Sequence, residues 1–303
     1  MKTTQIPAVK RRITGMKITT HKIRRALLGA GRATLSWIYS LPRLSWQVLK
    51  RHRNGICLLL VLVSLWEASA LLGWINTKVL SSPFEVVRSF SAAVSSGSLL
   101  KDSVQSIKRV LVGFALGSLS GILIAILVVA SRRVAELAAP IIELIRPIPP
   151  IAWVPMAILW FGLGDPPAYF LVALGAFFPV FTNLGGALRD IEKKQINVAR
   201  SLGASTALVC RKIIIPLVLP DLVTGLRVGL GVSWIIVITA EMVGVQEGLG
   251  YMIQLNRVLL QTPNVIVGMI SIGAIGLALS LLMDVVETVA IPWKRRMAIL
   301  QNR

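Results

Sequence analysis

Residues 189–216 read RDIEKKQINVARSLGASTALVCRKIIIP, a polar and basic stretch set between two long apolar runs. Its local signals describe two short helices joined by a turn. Gly203 suits a helix end, Ser205 suits the start of the next helix, and Pro216 marks a stop before the following apolar run. Val198, Ala199 and Leu202 share one side of the first short helix while basic residues occupy the other. A helix-turn-helix of this kind, held between apolar runs, is a docking surface.

Working outward, the chain is 303 residues long and 55% hydrophobic, too apolar for a soluble domain of ordinary composition. A membrane-spanning helix needs about 20 mostly apolar residues. Six stretches qualify, at roughly 55–74, 107–130, 137–162, 167–188, 217–240 and 264–288. The expected fold is therefore an all-α membrane protein with six transmembrane helices. Its membrane domain covers 55–290, between a basic tail over 1–54 and a short tail over 291–303.

The net charge of +20 raises the question of a nucleic-acid partner, but the basic residues sit between apolar runs and not over one globular face. No nucleic acid is expected. Lys10, Arg11, Arg12, Lys17, Arg24, Arg25 and further basic residues crowd the first 54 positions, with no acidic residue before Glu67. That pattern reads as a cytoplasmic tail held at anionic membrane lipids. Apolar residues interleaved with its arginines over 24–50 allow either an interfacial amphipathic helix broken near Pro42 or an unstructured tail.

Short cytoplasmic loops collect lysine and arginine. Arg132 and Arg133 follow the second stretch; Arg189, Lys194, Arg200, Arg211 and Lys212 follow the fourth; Lys294, Arg295 and Arg296 follow the sixth. Both termini and the 189–216 loop are thus expected in the cytoplasm. Lys108 and Arg109, at the outer end of the second stretch, go against the trend, and snorkelling to the interface would relieve them. Cys57 and Cys210 have no metal-ligand spacing, and His21 and His52 both lie in the basic tail, so no metal or histidine-centred chemistry is expected. The chain also carries no G-x-x-x-x-G-K-[ST] phosphate loop.

The third stretch contains Pro147, Pro149, Pro150 and Pro155, each removing a backbone donor at membrane depth. Such a break lines a cavity or packs against other helices. Arg146 heads it, with Glu143 one turn earlier. Two readings stay open: Arg146, the prolines and Trp153, with Trp160, border a translocation pathway, or Arg146 pairs with Glu143 and the tryptophans pack. Arg227 is expected to pair with a carboxylate across helices, and Glu241 to sit at the outer mouth. The small residues Gly268, Ser271, Gly273, Ala274, Gly276 and Ala278 suit close helix contact, within one copy or between two.

The segment Asn197-Val198-Ala199, then Gly203, then Ile213-Ile214-Ile215-Pro216 resembles the cytoplasmic loop of binding-protein-dependent ABC importer permeases, patterned E-A-A, three residues, G, nine residues, I-x-L-P. The spacing matches throughout. Asn197 replaces the acidic residue, Val198 an alanine and Ile215 a leucine. The resemblance implies a coupling role toward an ATP-hydrolysing subunit for Asn197, Val198, Ala199, Gly203, Ile213, Ile215 and Pro216. It extends over roughly 80–290, where the run from Leu144 to Pro155 is similar to the sulfonate, taurine, nitrate and bicarbonate branch, nearest its sulfonate and taurine members. It implies the type I importer permease fold and no enzymatic activity on this chain, with ATP and Mg on separate ATPase subunits. A second permease copy and an external solute-binding protein complete the implied assembly. An ion-gradient transporter, expected to show an internal repeat of broken helices, and a membrane scaffold are the rival readings.

Overall fold

The computed structural model describes residues 53–76 and 79–293, so the readings made for the basic tail and for the last ten positions lie outside the described residues. Every regular element among the described residues is helical. Helix α1 spans Arg53–Leu71, and its apolar part, Cys57–Leu71, is shorter than a full crossing. The chain divides near the end of α1, and the remaining helices form one unit.

That unit opens with α2, Pro83–Ser95, whose start is a capping box: the Ser82 hydroxyl accepts the Glu85 N–H and the Glu85 carboxylate accepts the Ser82 N–H. Helix α3 follows over Ser98–Ala130, then α4 over Arg132–Ile145, a 3-10 turn at Pro150–Trp153 and α5 over Val154–Phe161. Helix α6 spans Asp165–Arg189, α7 Lys193–Ser201 and α8 Thr206–Val209. A π-turn over Cys210–Ile214 leads into α9, Ile215–Gly244, before α10, Leu249–Val258, and α11, Thr262–Ala290.

All six expected apolar stretches are helical, but they are not six equal rods. Among the described residues four helical runs are long and apolar enough to cross a membrane: α3, α6, the continuous run Thr206–Gly244, and α11. The third stretch crosses only as a bent pair, α4 and Pro150–Phe161, turned by 88°. The prolines explain the bend. Residues 147, 149 and 150 have no N–H to give to the preceding turn, so the last helical bond before the break is that of Arg146 to the Ile142 carbonyl.

Helix α6 lies between α3 and α9 and packs along both. Lipid supplies no hydrophobic push between helices, so close backbone approach and dispersion must hold them. Glycines make the approach. A Cβ on Gly117 of α3 would sit 2.1 Å from the Ala173 carbonyl oxygen of α6, and Gly113 and Gly121 touch α6 one turn to either side. Gly225 and Gly229 of α9 meet the backbone of α6 in the same way, at Pro179 and Ala176. This crossing, and not the small-residue stripe of α11, is the tightest seam. Within that stripe Gly268 packs on Ile253 and Gly276 on the Trp234 ring, while Gly273 faces open space.

Ala125 and Val128 of α3, Phe181 and Leu184 of α6 and Val218 of α9 form a buried cluster at one end, covered by Val134, Ala135, Ala138 and Ile142 of α4. The 189–216 segment lies at this end, called the loop end below. The opposite, far end gathers the starts of α3 and α6, the end of α9 and the turn into α10.

Gly117→Leu is expected to force α3 from α6 and cost at least about 1–3 kcal/mol, the range for overpacked sites. Gly273→Leu, with nothing within 4 Å of a Cβ there, should cost far less. The melting temperatures of the two purified variants make the comparison.

Candidate functional site

At the loop end, α7 is closed by a Schellman motif. The Gly203 N–H donates to the Arg200 carbonyl at 2.9 Å and the Ala204 N–H to the Ala199 carbonyl at 3.0 Å. Gly203 holds φ +83°, a left-handed conformation that costs other residues energy. The Ser205 hydroxyl then accepts the Leu208 N–H and starts α8. Two expectations drawn from the sequence, the helix end at Gly203 and the new start at Ser205, match the observed caps.

Pro216 behaves differently from the stop read in the sequence. The helix runs through it, as one 39-residue stretch from Thr206 to Gly244. The wide π-turn is the physical reason: the Ile215 N–H reaches back five residues to the Cys210 carbonyl, which widens the turn ahead of Pro216 and makes room for its ring. Asn197 and Val198 are exposed on α7, as is Ile215 on α9, while Ala199, Ile213 and Pro216 are half-buried. Val198 is 54% and Leu202 83% exposed. Two apolar side chains thus project from the end of a short, rigidly capped helix. Beside them a cleft of about 440 Å³ lies between the ends of α6, α7 and α9, lined by Asn183, Asp190, Glu192, Gln195 and Asp221.

The proline break places its residues apart from this loop. Arg146, Pro147 and Pro149 are exposed, and Pro150 and Trp153 half-buried. Among the described residues no ion pair joins Arg146 to Glu143, so the intrahelical pair read as one alternative is not formed. Trp153 and Trp160 have ring centroids 6.1 Å apart, and Trp160 continues onto Phe170. The Trp153 indole N–H is buried and has no acceptor among the described residues.

Arg227 does pair across helices, with Asp284 and with Glu287 of α11, the latter at 2.7 Å. Glu241, expected at the outer mouth, lies at the far end but is fully buried and not at an open mouth. Its partner is Arg109, which is 3% exposed and does not snorkel. Arg109 Nη1 donates to Glu241 Oε1 at 2.8 Å and to the Glu247 carbonyl at 2.6 Å, and its Nε donates to Asp165 Oδ1 at 2.8 Å. The turn after α9 closes the network with three successive N–H groups: Gly248 to Asp102 at 2.9 Å, Leu249 to the Ser106 hydroxyl at 3.0 Å, and Gly250 to Glu241 at 2.9 Å. The Ser106 hydroxyl in turn donates to Glu241.

This cluster escaped a reading made one span at a time. Spacing carried a signal: Asp102, Ser106 and Arg109 share the face of α3 that continues as Gly113, Gly117 and Gly121. A charge on the face that meets another helix cannot reach lipid headgroups.

The sequence profile of the family described as "Binding-protein-dependent transport system inner membrane component" matches residues 117–296. The chain is 38% identical over 241 residues to a putative ABC transporter permease of Methanocaldococcus jannaschii, covering 78% of this chain and 90% of that one. It is 33% identical over 241 residues to the putative aliphatic sulfonates transport permease SsuC of Bacillus subtilis, covering 80% and 87%. Among solved structures, the inward-facing MetNI methionine ABC transporter is similar at TM-score 0.52 and 18% identity, over 61% of this chain and 92% of that one, a likeness of fold alone.

Gly203→Val is expected to strain the end of α7 by about 1–2 kcal/mol, the cost of a left-handed conformation at a residue with a side chain. Limited proteolysis should then cut faster between α7 and α8, with the rest of the chain protected as before.

Proposed function

Because this chain belongs to the binding-protein-dependent transport system inner membrane components, multi-pass permeases and not enzymes, we propose that its 189–216 loop is where a separate ATPase drives it. The observation that carries the proposal is the exposed pair Val198 and Leu202 on a helix capped rigidly at Gly203. Exposed apolar side chains at the polar end of a membrane protein suit a groove on a partner. Asn197, Ala199, Ile213, Ile215 and Pro216 flank the contact, with Asn197 supplying a neutral polar group to the partner. The ATPase subunits hold ATP and Mg. Their closure draws two such loops together, one from each copy of a permease pair, and switches the pathway from inward to outward opening. The loop end then faces the cytoplasm, with both termini, and the far end receives an external solute-binding protein.

The cargo proposed is a small anion of the sulfonate class, taurine included. The run Leu144–Pro155 and the 33% identity to an aliphatic sulfonate permease support it. The proline break supplies the pathway wall: Arg146, unpaired with Glu143, offers a positive charge, and Trp153 offers a buried N–H without an acceptor. Pro147, Pro149 and Pro150 hold the chain open between them.

Leu202→Asp is expected to abolish copurification with the ATPase subunit while leaving the permease folded and in the membrane; retention of the ATPase would overturn the docking assignment. Arg146→Gln is expected to lower uptake of radiolabelled taurine by about tenfold or more, the value of one charge-assisted hydrogen bond. Unaltered uptake by the assembled complex would remove Arg146 from the pathway.

A further inference from the structure

The far-end network does more than bury two charges. Arg109 of α3 touches three separate pieces of chain: Asp165 at the first residue of α6, Glu241 near the end of α9, and the Glu247 carbonyl of the turn beyond it. That turn then hands three successive N–H groups, from residues 248 to 250, to Asp102, Ser106 and Glu241. Gly248 sits at φ +114°, and a Cβ there would lie 2.5 Å from Glu241 Oε1 and 2.7 Å from Arg109 Nη1. The turn therefore lies directly on the ion pair, and only a residue without a side chain fits. The Gly164 N–H adds a bond to the Gly244 carbonyl at 2.9 Å, fastening the link between α5 and α6 to the end of α9.

Removing one partner from such a pair leaves a buried charge uncompensated, and the groups bonded to it lose their partners as well. We infer that Arg109 is a positioning residue for the outer mouth. It fastens the 245–250 turn to α3, α6 and α9, so that the turn and the helix ends travel as one rigid body through the transport cycle. The outer mouth then opens along another seam, against a second copy of the chain. The inference rests on the permease function proposed above and assigns one step of it to a place.

The test uses Lys101 and Glu247, an exposed ion pair at 2.7 Å beside the buried network. With Cys57 and Cys210 replaced by serine, Lys101→Cys and Glu247→Cys are joined by a short, reducible bis-methanethiosulfonate linker, which replaces the reach of the lysine and glutamate side chains, in the permease–ATPase complex in proteoliposomes. ATP is the only ligand added, and hydrolysis is read before and after reduction. The bridge is expected to form readily and leave hydrolysis unchanged. Failure to form it, or a loss of hydrolysis restored by reductant, would overturn the inference, because the turn would then move against α3. Arg109→Met should lower hydrolysis by about tenfold, within the range of couplings between distant sites, because the freed turn no longer moves with the helix ends. In that variant the bridge should restore hydrolysis, which a residue needed only for folding would not allow. A permease that captures no ATPase at all defeats the functional proposal itself, before any bridge is made.

Discussion

A helix inside lipid gains nothing by hiding apolar side chains from its neighbours, so the contact of α6 with α3 and α9 has to come from backbone proximity. Gly117 against Ala173 is the tightest point of that contact, and Gly225 and Gly229 repeat the arrangement on the opposite side of α6. The rest of the unit is arranged around this three-helix seam. At one end the seam runs out into the cluster of Ala125, Phe181, Leu184 and Val218, on which α4 rests. At the other it meets Arg109 and Glu241, where close helix approach shuts out water and lipid headgroups and obliges the charges to pair.

Both ends of the seam thus present rigid features of opposite chemistry. The loop end projects an apolar pair, Val198 and Leu202, from a helix whose last carbonyls are satisfied by the turn at Gly203. The far end buries a polar network and leaves its turn no free N–H between residues 248 and 250. Under the coupling proposed above, a push at the loop end would be carried to the far end by α6 and α9, each a continuous helix over its length. The 88° bend after α4 is the one place where the described spans depart from straight helices by that much, and it holds the residues proposed to line the pathway.

Much of this was legible in the sequence, because the physical signals were local. Apolar length gave the helical stretches, the prolines at 147, 149 and 150 gave the bend, and Gly203 with Ser205 gave the two caps. Pro216 was misread because the π-turn over Cys210–Ile214, just ahead of it, is invisible to propensity: the ring that ends an ordinary helix is accommodated by the wider turn. Arg109 was misread because its partners lie in α6 and α9, far along the chain, and one span read alone offers only the lipid interface. The glycine stripe of α11 drew notice by composition, whereas the decisive glycines of α3 are set apart by what they face, which only the packing of α6 reveals.

If Val198 and Leu202 meet an ATP-hydrolysing subunit, as proposed above, a photoreactive amino acid placed at Leu202 in the intact complex lies against that subunit. Illumination is predicted to give one adduct, between this chain and the ATPase subunit, with none from the same group placed at Gly273. Adducts only with lipid or with a second permease copy would rule out docking of the ATPase at Val198 and Leu202.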